Sequence, residues 1–262
     1  MMKTNEFIVH LRANGRYSFT LNEAELMLGL SKIPALNALH RSKQRGLIVS
    51  PVKGLYLIVP PEYQAFGCLP ADLFIDDLMK FLKLPYYIAY LSAAQLYGTA
   101  HQKPQRFQVV TTKSRRSIYC GRISIEFIQN KIAAQIPVRQ IKTGSGYINV
   151  AEPEAVAMEL VSAPQHAAGI SNAATVLTEL AESFDINRFQ KLATINTELF
   201  WIQRLGYLLE FLELPEIADE LFKLLENKKL HWVKLVSSPK YKALSRDSKW
   251  KIIINTEVEP DL

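Results

Sequence analysis

The alternation of apolar and polar residues near the start of the chain predicts two helices separated by a tight turn. Thr20 and Glu23 have the spacing of a capping box, which predicts that a helix begins at Leu21. That helix runs to Leu28 and ends at Gly29, because glycine tolerates the left-handed conformation of such a turn.

A second helix is predicted over 32–45. Ser31 is placed to cap it, and Pro34 falls in its first turn, where a missing N–H costs little. Gly46 ends the helix. The two helices and their short connection have the pattern of a helix-turn-helix.

Shorter apolar runs complete this N-terminal module. Two strands are predicted over 47–49 and 55–59, with Lys53 at the tip of the loop between them. A helix over 6–13 precedes the pair of helices, and 17–19 is expected to be a short strand that pairs with the hairpin. Helix, turn, helix and hairpin, in this order, predict a winged helix-turn-helix.

The second helix has an apolar side and a basic side. Its apolar side is predicted to consist of Ile33, Leu36 and Leu39. Asn37, Arg41 and Arg45 follow one another at spacings of four on another side, beside the small Ala38. His40 is expected to be partly buried. The alternative for such a basic side is an ordinary solvated helix surface.

The distribution of charge along the chain favours the interpretation that this module faces nucleic acid. Residues 1–60 hold eight Lys or Arg and three Glu, a net charge of +5 out of +6 for the whole chain. A second basic run, Lys113 to Arg116, falls in a predicted turn whose side chains should project into water. Three interpretations of this run remain open: a phosphate-contacting patch, a docking surface for an acidic partner, or a solvated loop.

The DNA-binding hypothesis gives these residues separate roles. Asn37 and Arg41 are expected to read base edges, because Asn pairs with adenine and Arg with guanine. Lys32, Arg45 and Lys53 are expected to hold phosphates. The full set of expected DNA contacts is Ser31, Lys32, Asn37, Arg41, Arg45, Lys53, Lys113, Arg115 and Arg116.

The remainder of the chain predicts a second domain. Prolines and glycines interrupt 61–71, which we interpret as a linker. Further strands are predicted over 107–111, 118–119, 123–128, 232–236 and 250–254, and a hairpin over 141–150 that turns at 144–146. Helices are predicted over 71–84, 91–97, 153–163, 170–183, 185–193, 197–213 and 215–227. The predicted fold class is therefore α+β, with an N-terminal winged helix-turn-helix over 1–60 and a larger mixed α/β domain over 72–262 that ends in a helical region.

Few residues suggest catalysis or metal binding. Glu152 and Glu154 resemble spaced carboxylates that hold Mg²⁺, but Pro153 should begin a helix and make both acids first-turn residues. The histidines share no ligand spacing. Cys68 and Cys120 are far apart in sequence, form no metal or redox motif, and are interpreted as small packing residues. We expect no cofactor, metal or catalytic group.

The hydropathy of the chain favours a cytoplasmic protein. No segment approaches the roughly 18 consecutive apolar residues of a membrane span. The first residues, Met-Met-Lys-Thr-Asn-Glu, lack the apolar core of a signal peptide. We therefore expect neither membrane association nor export.

Several short motifs resemble those of a known family. They are Tyr87 to Ala94, Gly98, Gln102 to Pro104, Val109 to Thr111, Val150 to Glu154, Arg204 to Glu210 and Trp250 to Asn255. In combination they are similar to the signature of AbiEi-type antitoxins, over most of the chain. The sequence departs from that pattern at Tyr97, where many relatives carry His.

The resemblance implies a function in a bacterial two-gene system. By this resemblance, the winged helix-turn-helix would bind inverted repeats in its own promoter, on double-stranded DNA, and repress the operon. The second domain would counteract a cognate nucleotidyltransferase-like toxin, in the type IV scheme that needs no stable complex and is associated with phage abortive infection.

Two other classes of function stay open on the residues alone. The chain would be a nucleic-acid- or nucleotide-processing enzyme if Mg²⁺-dependent turnover were lost on changing Glu152 and Glu154. It would be a protein-interaction module if it captured a partner at any salt concentration and left DNA unbound.

Overall fold

The computed structural model describes residues 2–100, 104–238 and 243–261. Its α-helices are α1 Thr4–Ala13, α2 Leu21–Leu28, α3 Lys32–Gln44, α4 Ile75–Leu82, α5 Tyr90–Tyr97, α6 Pro153–Ser162, α7 Ile170–Leu180, α8 Ile186–Ile195, α9 Phe200–Phe211 and α10 Pro215–Lys223. Its strands are β1 Ser18–Thr20, β2 Ile48–Val52, β3 Leu55–Ile58, β4 Tyr86–Ile88, β5 Phe107–Thr111, β6 Ile118–Cys120, β7 Ile123–Gln129, β8 Val138–Thr143, β9 Gly146–Ala151, β10 Val233–Lys234, β11 Ser245–Asp247 and β12 Ile252–Ile254. The predicted α+β class is confirmed.

The first three helices and three strands have the order and pairing of a winged helix. Strand β3 lies between β1 and β2 and is antiparallel to both, so the expected pairing of the short first strand with the hairpin is present. The core between helices and sheet is made by Phe7, Ile8, Leu11, Phe19, Ala24, Leu28, Leu39, Ile48 and Ile58. These residues come from every element of the module, so the burial of one helix depends on the others.

The start of α2 follows the prediction only in part. The Thr20 hydroxyl accepts a hydrogen bond of 3.2 Å from the Glu23 N–H, as an N-cap should. The Glu23 carboxylate binds Arg16 instead, at 2.6 Å. Gly29 ends the helix with φ +63°, in the left-handed conformation that its position predicts.

The buried face of α3 is not the predicted one. The helix buries Ala35, Ala38, Leu39 and Ser42, while Ile33 is 72% exposed and Leu36 is 37% exposed. The small alanines let the helix approach its neighbours closely, and the Ser42 hydroxyl bonds the Ala38 carbonyl within the helix. Close packing through small residues therefore replaced the larger apolar stripe that periodicity favoured.

The predicted linker 61–71 contains regular structure and buried residues. A 3-10 helix occupies Pro61–Phe66 and a second one Ala71–Leu73. Between them, Cys68 and Leu69 are fully buried. The predicted helix over 71–84 is therefore this short 3-10 turn followed by α4.

The backbone contacts divide the chain into two compact units. One unit consists of Met1–Tyr87, Gln105–Ala134 and Gln140–Asn149, and the other of Ile88–Pro104, Gln135–Arg139 and Val150–Leu262. This division differs from the expected limits, because the first unit extends well past the winged module. The expectation that 1–60 and 72–262 are separate domains stays a prediction.

A mixed six-stranded sheet has the order β6-β7-β5-β4-β9-β8. Strand β5 runs parallel to β7 over five residue pairs from Phe107 and Ile125 to Thr111 and Gln129, and β6 is antiparallel to β7. The predicted strand at 107–111, the pair at 118–128 and the hairpin that turns at Gly144 are all present.

The second unit is largely helical and contains a small sheet at its end. All of Pro153 to Val161 in α6 is buried, and α9 contacts both α6 and α10. Gly206 of α9 lies against Trp250, so closely that a Cβ there would be 2.0 Å from the indole ring. The last three strands form a sheet of order β10-β12-β11, of which β11 is not among the predicted elements.

Candidate nucleic-acid interface

Helix α3 presents its polar residues to solvent. Asn37, Arg41 and Arg45 are exposed, as the predicted reading face requires. Lys32 is exposed as well, at the start of the helix. Ser31 occupies the N-cap with an extended backbone, but its side chain makes no capping hydrogen bond, so the predicted cap is formed by the backbone alone.

A cleft of about 400 Å³ lies between α3 and the hairpin β2–β3. It is lined by Leu36, Asn37, Leu39, His40, Lys43, Ser50, Lys53, Gly54 and Tyr56. His40 is exposed here, so the expectation of partial burial is wrong. Leu36, His40 and Lys43 have the spacing of neighbours on one helix face, and this spacing would have predicted that they line the cleft together.

The tip of the hairpin is held by side-chain and backbone hydrogen bonds. The Ser50 hydroxyl donates to the carbonyls of Val52 and Leu55, at 2.7 and 2.9 Å. Gly54 has φ +91°, a conformation that L side chains rarely adopt. These constraints fix the turn that carries Lys53, which is exposed. We call this hairpin the wing.

The floor of the cleft is aromatic. Tyr56 of the wing stacks on Phe19, with ring centroids 5.5 Å apart, and Phe19 meets Phe7 edge to face at 5.0 Å. Burial raises the pKa of Tyr56, so its hydroxyl stays protonated at neutral pH and can donate a hydrogen bond. Tyr56 thus connects the buried core to the cleft surface.

The basic residues of α3 and the wing are electrostatically uncompensated. Within the described residues, no ion pair joins Lys32, Arg41, Lys43, Arg45 or Lys53 to an acid. Arg16, on the other hand, is neutralised by Glu23. Unpaired, solvated cations are suited to bind phosphate oxygens, since they lose no existing partner on binding. Lys43 and Lys53 line the cleft.

The basic run 113–116 is only partly solvated. Lys113 and Arg116 are exposed, as expected. Arg115 is half-buried, with its guanidinium 5.7 Å from the centre of the Phe127 ring, so the prediction that it projects freely into water is wrong. The strand that follows this run, β6, contacts the wing strand β2 within the first unit.

The two cysteines meet in the fold. Both are buried, and the Cys68 thiol is hydrogen-bonded to the sulfur of Cys120. That bond, with burial, raises the pKa of Cys68, whereas the same bond and the positive charge of Lys43 lower the pKa of Cys120. Cys68 and Cys120 are free thiols, and the interpretation as separate packing residues missed their contact.

Glu152 and Glu154 stand at a helix start, as predicted. Glu152 is the N-cap of α6 and Pro153 is its first residue. Glu154 is only 1% exposed, and one carboxylate oxygen accepts the Asp185 N–H at 2.7 Å. Burial raises the pKa of Glu154. Among the described residues no group of three or more His, Cys, Asp or Glu is placed to hold a metal ion.

These features define an α+β protein with a basic N-terminal winged module. Residues 87–211 match the family model of the AbiEi antitoxin C-terminal domain. The resemblance to AbiEi antitoxins is therefore confirmed over this segment.

The whole fold has a counterpart among solved structures. The crystal structure of the Rv2827c protein from Mycobacterium tuberculosis superposes with a TM-score of 0.71 at 16% sequence identity, covering 95% of this chain and 89% of that one. At this identity the likeness shows the fold alone. No curated protein sequence matches the chain significantly.

Part of the family resemblance lies outside the described residues. Gln102 and Lys103 belong to that part. At Tyr97, the described residue that departs from the family pattern, the hydroxyl donates to the Ala151 carbonyl at 2.7 Å. None of the described helices has the length and apolar character needed to cross a membrane.

Proposed function

We propose that this protein is a DNA-binding transcriptional repressor and antitoxin that binds inverted repeats in its own promoter through α3 and the wing. The observation that supports this most is the set of unpaired, exposed basic residues on α3 and the wing, of which Lys43 and Lys53 line the cleft. A helix of this kind enters the major groove, where bases are distinguishable, while the wing lies along the neighbouring backbone.

Each side chain has a role that follows from its place. Asn37 and Arg41 read base edges from the exposed side of α3, whereas Lys32, Arg45 and Lys53 hold phosphates. Ser31 adds a hydroxyl contact at the helix start. Lys113 and Arg116 extend the phosphate contacts, and Arg115 contributes its charge from its position over Phe127.

Arg41 provides the direct test of base reading. Replacing Arg41 by Ala should weaken binding to the promoter fragment by about 1–3 kcal/mol and relax sequence preference at one position. Arg12→Ala is the matched control, because Arg12 is an exposed arginine on α1 outside the cleft. Fluorescence anisotropy with specific and scrambled duplexes measures both effects. If Arg41→Ala binds like the wild type, Arg41 is not on the reading face.

The antitoxin role is assigned to the AbiEi domain over 87–211. We propose that it counteracts a nucleotidyltransferase-like toxin without a stable complex and without catalysing a reaction itself. Co-expression tests this: the wild-type chain should restore growth of toxin-expressing cells. Arg41→Ala should also restore growth while a promoter reporter is derepressed. Loss of both functions in this variant would contradict the separation of roles.

A further inference from the structure

Arg204 is a buried cation held entirely by neutral groups. It lies on α9 and is only 4% exposed. Its Nε donates to the Lys234 carbonyl at 2.9 Å, and Nη1 donates to the Val161 and Ser162 carbonyls at 3.3 and 3.4 Å. Its Nη2 donates to the Ser237 hydroxyl at 2.5 Å. These bonds join α9, the end of α6 and the segment around β10.

The positive charge of Arg204 has no full counter-charge. No ion pair joins it to an acid within the part of the chain that the structure describes. The carbonyls of Val161 and Ser162 end α6, so the helix dipole supplies about half a negative charge there. Burial lowers the pKa of Arg204, but a guanidinium remains charged at neutral pH. A buried cation without a full partner is energetically costly and favours an anion beside it.

A cavity of about 510 Å³ opens beside this guanidinium. It is lined by Ser162, Phe200, Arg204, Val233, Lys234, Ser237 and Ser238. The Arg204 Cζ lies over the Phe200 ring, 5.0 Å from the ring centre. The N–H groups at the edge of the guanidinium can therefore still contact other partners. Lys234 is exposed and brings a second positive charge to the rim.

Hydrogen-bond donors remain available in this cavity. A guanidinium has five N–H groups, and the four hydrogen bonds above leave one Nη2 donor over. The Ser237 hydroxyl accepts from Arg204, so its own proton is free to be donated. The Ser162 hydroxyl, by contrast, donates to the Met158 carbonyl at 2.6 Å. Arg204 and Ser237, both in the cavity lining, therefore each keep one hydrogen-bond donor.

We propose that this cavity binds the phosphate group of a small molecule, either free phosphate or a phosphomonoester. A phosphate dianion matches these groups, because the remaining Nη2 N–H of Arg204 can donate to one oxygen while Lys234 acts as a point charge. Ser237 donates to a second oxygen. A nucleic-acid backbone is a poorer fit, since Arg204 is recessed behind Phe200 and exposes little surface.

Phosphorus NMR and calorimetric titration of the full chain test the proposal. Inorganic phosphate and a nucleoside monophosphate are used as separate titrants at constant ionic strength. Arg204→Lys should weaken binding by about tenfold, because the directional contact from the remaining Nη2 N–H is lost while the charge is kept. Ser237→Ala and Lys234→Ala should each weaken it severalfold. Tighter binding of the monophosphate assigns a phosphomonoester, and equal binding assigns free phosphate.

Controls separate this site from general salt effects, since phosphate stabilises most folded proteins. Lys191→Ala removes an exposed lysine from α8, outside the cavity, and should bind phosphate like the wild type. If Arg204→Lys fails to fold, Lys234→Ala still tests the site, because the Lys234 side chain is exposed and its removal should leave the fold intact. Absence of saturable binding, or equal binding by Lys234→Ala, Ser237→Ala and wild type, overturns the proposal. Promoter binding by α3 is unaffected by either outcome.

Discussion

The Ser18 hydroxyl donates a hydrogen bond of 2.6 Å to a carboxylate oxygen of Asp77. Ser18 begins the first strand of the winged module, and Asp77 lies in the first turn of α4, beyond the segment predicted to be a linker. Phe81 of the same helix comes within 3.4 Å of the position a Cβ would take at Gly54 in the wing. Helix α4 therefore supports both the edge of the wing sheet and the turn that carries Lys53.

This hydrogen bond should contribute measurably to stability. Ser18→Ala should lower the free energy of unfolding by about 1.5–3 kcal/mol, because a charged acceptor is left without its donor. A double-mutant cycle with Asp77→Asn in urea unfolding measures the coupling. Ser114→Ala, at an exposed serine, serves as the control. Additive effects of Ser18→Ala and Asp77→Asn would show that the contact is energetically unimportant.

We expect the wing to make a salt-dependent contribution to DNA binding. If about six phosphates are neutralised, log affinity should fall with log salt with a slope of about −5. Lys53→Ala should reduce the magnitude of that slope by about 1 and leave sequence preference unchanged, since a phosphate contact carries no base information. Lys131→Ala, an exposed lysine outside the cleft, should keep the wild-type slope. Titrations at several salt concentrations distinguish the two variants.

Gly121 permits a close backbone approach. A Cβ at this position would lie 2.2 Å from the Phe66 carbonyl oxygen and 2.7 Å from the Gly67 carbonyl carbon, and backbone atoms cannot move aside easily. Gly121→Ala should therefore lower the free energy of unfolding by more than about 2 kcal/mol.

Gly15→Ala is the matched control for this backbone contact. Its φ of +68° is similarly left-handed, but nothing lies within 4 Å of its Cβ position. Only the conformational cost of about 1–2 kcal/mol is expected there. Equal losses in the two variants, measured by thermal unfolding, would mean that the approach between Gly121 and Phe66 is not tight.

Gly206 and Trp250 are expected to be coupled. A Cβ at Gly206 would overlap the outer ring of the Trp250 indole, so Gly206→Ala should lower the free energy of unfolding by about 3 kcal/mol or more. Trp250→Phe removes that outer ring and should offset part of the loss in the double variant. Urea unfolding of both single variants and the double variant measures the coupling. A double variant less stable than additivity predicts would contradict the overlap.

The pH dependence of stability should contain a contribution from Glu154. Burial raises its pKa in the folded state above the ordinary value of 4.5, so the folded state holds this proton more tightly than the unfolded state. The stabilising contribution is present below the unfolded pKa and is lost as pH rises through the folded pKa.

Substitution of Glu154 by Gln should remove this pH dependence. The side-chain amide of the variant keeps an oxygen that can accept the Asp185 N–H, so Glu154→Gln should be at least as stable as the wild type at neutral pH. Its advantage should shrink as the pH is lowered. Glu182→Gln, at an exposed glutamate, should follow the wild type. Unfolding free energies of the wild type and both variants, measured from acid to neutral pH, test this expectation. A pH dependence in Glu154→Gln equal to that of the wild type would contradict it.

Local signals in the sequence predicted most elements and their limits. Thr20, Gly29 and Gly46 mark helix ends because capping and left-handed turns involve only a few consecutive residues. Pro153 marks the start of α6 for the same reason. The exposure of Asn37 was also predictable, since a polar residue on an amphipathic helix normally faces water.

Tertiary structure decided which surfaces meet. It turned Ile33 outward and buried Ala38 on the face of α3 that also buries Leu39. It brought Cys68 to Cys120 and enclosed Arg204 among carbonyls from α6 and β10. Such contacts join residues tens of positions apart, and their energy depends on neighbours that no local pattern identifies. The sequence by itself therefore determined the order of the elements, and long-range packing determined their faces and their sites.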